Sequence, residues 1–181
     1  MLRLLGGLVC LVLAMAALVA ALGLFDGPAR RASFDLIAFF EQPTGGEGTI
    51  RALDLSVDRF AVATQGSREG EVGRMIERFT HEDGRRRVQD WTLRYLDGES
   101  ARHGVVATRP DLNGPAIFMP RRGGYYYVWH QWLKPQTRSE EVTLRGWLDL
   151  RSDGALVNRA IVFRWSLPVA YVRVVFRPAT G

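Results

Sequence analysis

Cysteine, lysine and histidine are nearly absent from this 181-residue chain, which holds one Cys, one Lys and three His. The lone Cys10 excludes an intrachain disulfide, so the fold must be stabilised by its own core. The histidines, His81, His103 and His130, are far apart, and none has a second ligand at the short spacing that zinc sites use. No metal and no cofactor is expected. No G-x-S-x-G elbow is present. Gly45-Gly46-Glu47-Gly48 lacks the Lys and the following helix of a phosphate loop and reads as a turn. No catalytic residue is assigned, and a non-enzymatic role is expected.

Helical periodicity is also missing after the first 25 residues, apart from Phe34 to Glu41, where Phe34, Ile37 and Phe40 share a face over one or two turns. Before that point the composition is different. From Leu4 to Phe25 there is no charged side chain over 22 residues. About 20 apolar residues in helix cross a bilayer, whereas the apolar core of a signal peptide is about 7–15 residues. The length favours a retained anchor, while Ala21-Leu22-Gly23 is an acceptable cleavage site, so residues 1–25 read as a transmembrane anchor or a signal segment. Residues 26–33 read as a polar linker and 34–181 as one domain. Cys10 follows Val9, where a lipidation signal wants a small residue, and reads as an apolar helix residue. The expected location is the outer face of a membrane, with the domain held there by the anchor or exported.

The rest of the chain is a succession of strand and turn signals. Gly48–Leu55, Arg59–Thr64, Gly70–His81, Arg87–Leu96, Ala101–Thr108, Ala116–Met119, Tyr125–Leu133, Glu141–Arg151, Ala155–Trp165 and Val169–Arg177 are expected as strands. Glu82-Asp83-Gly84, Asp97-Gly98 and Ser152-Asp153-Gly154 mark hairpin turns, and Pro168 separates the last two strands. Trp91, Leu93 and Tyr95 alternate with Thr92 and Arg94, the period of a half-buried strand. Nothing is long enough for parallel crossovers. The expectation is an all-β antiparallel barrel of about 8–10 strands.

The net charge is +5, carried by 23 Arg and one Lys. These bases are interleaved with acids rather than clustered, so nucleic acid is not an expected partner. A membrane surface is. Five Trp, five Tyr and nine Phe concentrate the apolar area, and Tyr125–Leu133 has aromatics on both faces. Tyr126, Val128, His130 and Trp132 stand on one face; Tyr125, Tyr127, Trp129, Gln131 and Leu133 stand on the other. Alternation does not say which face points inward. An exposed stripe of Tyr125, Tyr127 and Trp129 would favour docking to an envelope protein. A cavity of several hundred Å3 would favour a carrier.

FDLIAFF, then FTHEDGRRRVQDWTLRYLDG, WLDLRSDGALVNRAIVFRW and VRVVFRP follow in an order that resembles a family of proteobacterial envelope proteins of unknown function, many described as lipoproteins. The shared features are Asp83-Gly84 with Arg87 and Trp91, then Trp147, Asp153 and Val157-Asn158-Arg159-Ala160. The resemblance spans about Phe34 to Pro178. The chain departs from it in having no well-placed lipidation cysteine, and in reading Arg164-Trp165-Ser166 where relatives tend to have Lys-Phe-Gly. The resemblance implies a lipocalin-like (calycin-like) barrel and no particular activity. With it, Trp91, Tyr126, Trp129, His130, Trp147, Asn158 and Arg159 are the candidate ligand-binding residues, for a small apolar or lipid-like molecule. The alternative is an assembly module acting through the barrel exterior.

Overall fold

Hairpin follows hairpin from Thr44 to Pro178. A computed structural model describes residues 34–96 and 104–179. The expected anchor, the linker, the Asp97-Gly98 turn and residues 101–103 lie outside the described residues. Ten strands run in sequence: β1 (Thr44–Ala52), β2 (Val57–Glu69), β3 (Val72–His81), β4 (Arg86–Tyr95), β5 (Val105–Thr108), β6 (Ala116–Arg121), β7 (Gly124–Lys134), β8 (Ser139–Leu150), β9 (Leu156–Arg164) and β10 (Leu167–Pro178). Each pairs antiparallel with its sequence neighbour. β1 also pairs with β10, Thr44 opposite Pro178 through Ala52 opposite Ala170, and this closes the barrel. Closure leaves no strand edge open to another chain. Among the described residues no helix is long and apolar enough to cross a membrane.

Two expectations are corrected. Gly45, Gly46, Glu47 and Gly48 are not a turn but the first half of β1. A side chain at Gly48 would lie 2.2 Å from the Phe60 ring, so the glycine makes room for that ring rather than bending the chain. Pro168 does not separate the last strands. It sits near the start of β10, where the register against β9 shifts between Pro168 and Ala170. An irregularity of this kind tolerates a residue with no backbone N–H.

One short helix, α1 (Leu36–Glu41), precedes the barrel. Asp35 caps it: Oδ1 accepts the Ile37 and Ala38 amides at 2.9 and 3.2 Å. Gln42 is extended (φ −88°, ψ 150°), as the residue before Pro43 should be, and the helix stops there. Leu36, Ile37 and Phe40 are buried. At ~1.5–3 kcal/mol for each large apolar side chain, their burial outweighs the poor stability of six residues of isolated helix. α1 packs on β2 and β3 and lies across the end of the barrel that Tyr95 of β4 and Tyr125 of β7 mark. Two tyrosines fasten it there. The Tyr95 hydroxyl donates to Asp35 Oδ2 at 2.6 Å and the Tyr125 hydroxyl to the Phe34 carbonyl at 2.9 Å. Burial, then the bond to Asp35, pushes the Tyr95 phenol up to about 12.

Candidate functional site: the barrel lumen

Strand alternation divides the side chains into an inner and an outer set. On β7 the inner set is Tyr125, Tyr127, Trp129, Gln131 and Leu133, and the first four are buried. On β4 it is Arg87, Gln89, Trp91, Leu93 and Tyr95; on β3 it is Met75, Glu77, Phe79 and His81. Between these walls lies a cavity of about 300 Å3, reaching from Leu36 and Phe40 on α1 to His81 and Leu133 near the other end.

The cavity has two unlike sides. Strands β8, β9, β10, β1 and β2 contribute Val142, Leu144, Leu148, Ala160, Val162, Val172, Val174, Phe176, Ile50 and Phe60, with Asn158 as the one polar exception. The wall made by β3, β4, β7 and the chain after β5 carries the other polar groups. Arg109 is its centre. Arg109 continues the inward alternation of Val105 and Ala107, and its guanidinium donates through Nε to Asp111, through one terminal nitrogen to Gln89 Oε1, and through the other to Gln131 Oε1 at 2.8 Å. Its carbon lies 4.3 Å from the centre of the Trp91 ring, a cation–π contact that strengthens away from water. Asp111 also accepts from Arg87 at 2.7 Å. The loop behind them is tied to β7: the Trp132 amide donates to the Asp111 carbonyl at 2.9 Å, and Leu112 bridges to Gln131.

Trp91 donates its indole N–H to Glu77 Oε2 at 2.6 Å. Burial drives the Glu77 carboxyl above its ordinary range, against the bond from Trp91 and the nearby charges of Arg109 and Arg87. Burial also pulls the Arg109 guanidinium down, with Asp111 opposing. Below this pair, Tyr127 stacks on Trp129 at 4.5 Å and 9°, and Trp129 meets Trp91 edge-on at 5.5 Å. The Tyr127 hydroxyl donates to Asn158 Oδ1 at 2.6 Å. It reaches β9 across Gly146 of β8, where a Cβ would stand 2.3 Å from the phenol oxygen.

Of the seven candidate residues, Trp91, Trp129 and Asn158 line the lumen. Tyr126, His130, Trp147 and Arg159 do not, because each has the outward parity of its strand. Tyr126 and Trp147 pair at 6.0 Å on the outer face. Arg159 bonds Asp149 at 2.5 Å. His130 is exposed and lies 3.0 Å from both Thr143 Oγ1 and a Glu141 carboxylate oxygen. His81 ends β3 and its Nδ1 lies 2.9 Å from Asp58. Among the described residues no group of His, Cys, Asp and Glu could hold a metal. Sequence reasoning passed over Glu77, Gln89 and Arg109. The signal was present, since each shares the parity of apolar neighbours: Met75 and Phe79, Trp91 and Leu93, Val105 and Ala107. A polar side chain on an apolar face is a more informative observation than an exposed one.

The family model described as a protein of unknown function, DUF3833, matches residues 16–178. Among curated proteins none matches. Among solved structures, the S-type phycobiliprotein lyase CPES from Guillardia theta is similar in fold, with a TM-score of 0.58 and 7% identity over 82% of this chain and 95% of that one. At that identity the likeness is one of architecture: a closed antiparallel barrel of lipocalin-like type.

Proposed function

The chain belongs to the DUF3833 family, whose description carries no activity, and we propose that it binds a small, largely apolar molecule inside the barrel. The observation that carries this reading is the cavity itself. A barrel of this size either fills with side chains or retains room for one ligand, and here about 300 Å3 is retained, walled mainly by aliphatic and aromatic side chains. That volume is near the lower end for small-molecule sites, which combine an apolar lining with a few placed polar groups. The lining supplies such groups in Arg109, Glu77 and the glutamines. The competing reading, docking through an aromatic stripe of Tyr125, Tyr127 and Trp129, loses its basis because all three face inward and are buried. The binder would work without catalysis, in the envelope, beside the membrane that residues 1–25 imply.

The test is native mass spectrometry of the full-length protein, with displacement of a neutral apolar dye. Wild type is expected to carry or take up one small molecule per chain. Val162→Trp, which places an indole in the cavity, is expected to take up none. Failure of wild type in both assays would end the proposal.

A further inference from the structure

We propose that the ligand of this lumen is an amphiphile with an anionic, acceptor-only head, a carboxylate, held by the carboxamide N–H groups of Gln89 and Gln131 beside Arg109. This rests on the lumen-binding reading and adds the chemistry of the head.

The argument is one of donors and acceptors. Arginine has donors only, so both glutamines must turn their oxygens to Arg109, as they do. Each Nε2 is thereby left with two hydrogens and no partner among the described residues. Gln131 is 8% exposed and lines the cavity, so its hydrogens have lumen space to fill rather than bulk water; Gln89 lines the same cavity and is half-buried. Most acceptors on the same wall are engaged: Asp111 takes Arg109 and Arg87 on its two oxygens, and Glu77 takes Trp91 on Oε2, which leaves Glu77 Oε1. Beside Arg109, what the wall offers a guest is mainly donors.

Charge favours the same guest. Two guanidiniums, Arg87 and Arg109, share one carboxylate, Asp111. At Asp111 itself positive charge is therefore in excess, and burial shifts the nearby Glu77 toward its neutral form rather than away from it. A carboxylate would accept from both amides on two charged oxygens and offset that excess, whereas an alcohol would accept on one uncharged oxygen and leave the excess standing. Charge-assisted hydrogen bonds are also about twice as strong as neutral ones. Gln89 and Gln131 sit in the half of their strands away from α1, so the head lies toward the open end. The tail runs down toward Leu36, Phe40 and Phe176. Asn158 repeats the device near the closed end, but its oxygen is held by a phenol, so no positive charge comes with it.

The experiment is calorimetric titration of the full-length protein with dodecanoate and with dodecanol. Wild type is expected to prefer dodecanoate by about tenfold or more. Gln131→Glu keeps an oxygen for Arg109 and replaces the free N–H2 with a second oxygen. It is expected to erase or reverse the preference with an unchanged circular dichroism spectrum; should it fail to fold, Gln89→Glu makes the same exchange on β4. Equal affinity, or tighter binding of the alcohol, overturns the head-group inference and leaves lumen binding standing. No binding of either, nor of octanoate or palmitate, overturns both.

Discussion

The two ends of the barrel are built on opposite terms. At the closed end Asp35 caps α1 through one oxygen and receives Tyr95 through the other, and Phe40 meets Phe176 edge-on at 5.4 Å. At the open end the hairpin tips expose Leu53, Leu55, Trp165 and Leu167, with Leu55 88% and Trp165 82% exposed. Leu55, Trp165 and Ser166 also hold φ of 68°, 50° and 66°. A two-residue turn with two positive φ values is the natural place for Asn-Gly, yet Trp-Ser occupies it. Stability explains the closed end. It does not explain the end opposite α1, where bulky exposed residues carry backbone strain at two neighbouring hairpin tips.

Breaking the closed end should cost most. Phe40→Ala removes a buried ring that packs on Phe176 and should destabilise by ~3–5 kcal/mol, read from urea midpoints. Asp35→Ala deletes the cap and leaves the Tyr95 hydroxyl without its acceptor, which should cost ~1–3 kcal/mol in the same assay. Midway along the axis, Glu77→Gln keeps an oxygen for the Trp91 indole. The wild-type carboxyl is raised in the fold, so it favours folding most at pH below its ordinary 4.5, and that contribution is lost as pH rises toward its folded value. The stabilities of the two proteins should therefore converge in acid, and the variant should gain on wild type as pH rises. At the open end, Trp165→Asn with Ser166→Gly should stabilise by ~0.5–1 kcal/mol. A loss there would mean that the exposed indole packs on something important to the fold.

How much of this could be read beforehand differs by feature. The barrel was legible because β-strands write burial into every second residue, and α1 because Phe34, Ile37 and Phe40 fall at helical spacing. The orientation of β7 was not. Tyr126 and Trp132 on one face are as apolar as Tyr127 and Trp129 on the other, so hydrophobicity alone left Tyr126 and His130 as plausible lumen residues; Trp147 and Arg159 entered with the family resemblance and turn outward with the parity of β8 and β9. The neighbouring strands decide it. Tyr127 can turn inward because Gly146 on β8 leaves space for its phenol, and that is a property of a pairing register rather than of any local segment. Glycines misled for the same reason: Gly46 and Gly48 look like a turn until Phe60 is seen against β1. Arg109 was hidden by the Arg-Pro-Asp-Leu-Asn-Gly stretch that follows β5. That stretch reads as loop, but folds back onto β7 and keeps the inward parity of its strand.

Whether a guest enters the lumen or clings to the exposed tips can be read from the protein's own tryptophans. Trp91 and Trp129 line the cavity, while Trp132, Trp147 and Trp165 lie outside it. The direct measurement is quenching of tryptophan fluorescence by a brominated fatty acid, in wild type and in Trp91→Phe/Trp129→Phe. Saturable quenching in wild type, abolished when the two inner indoles are removed, is the predicted result. Quenching that survives in the double variant through the outer indoles would place the ligand on the surface and contradict the account.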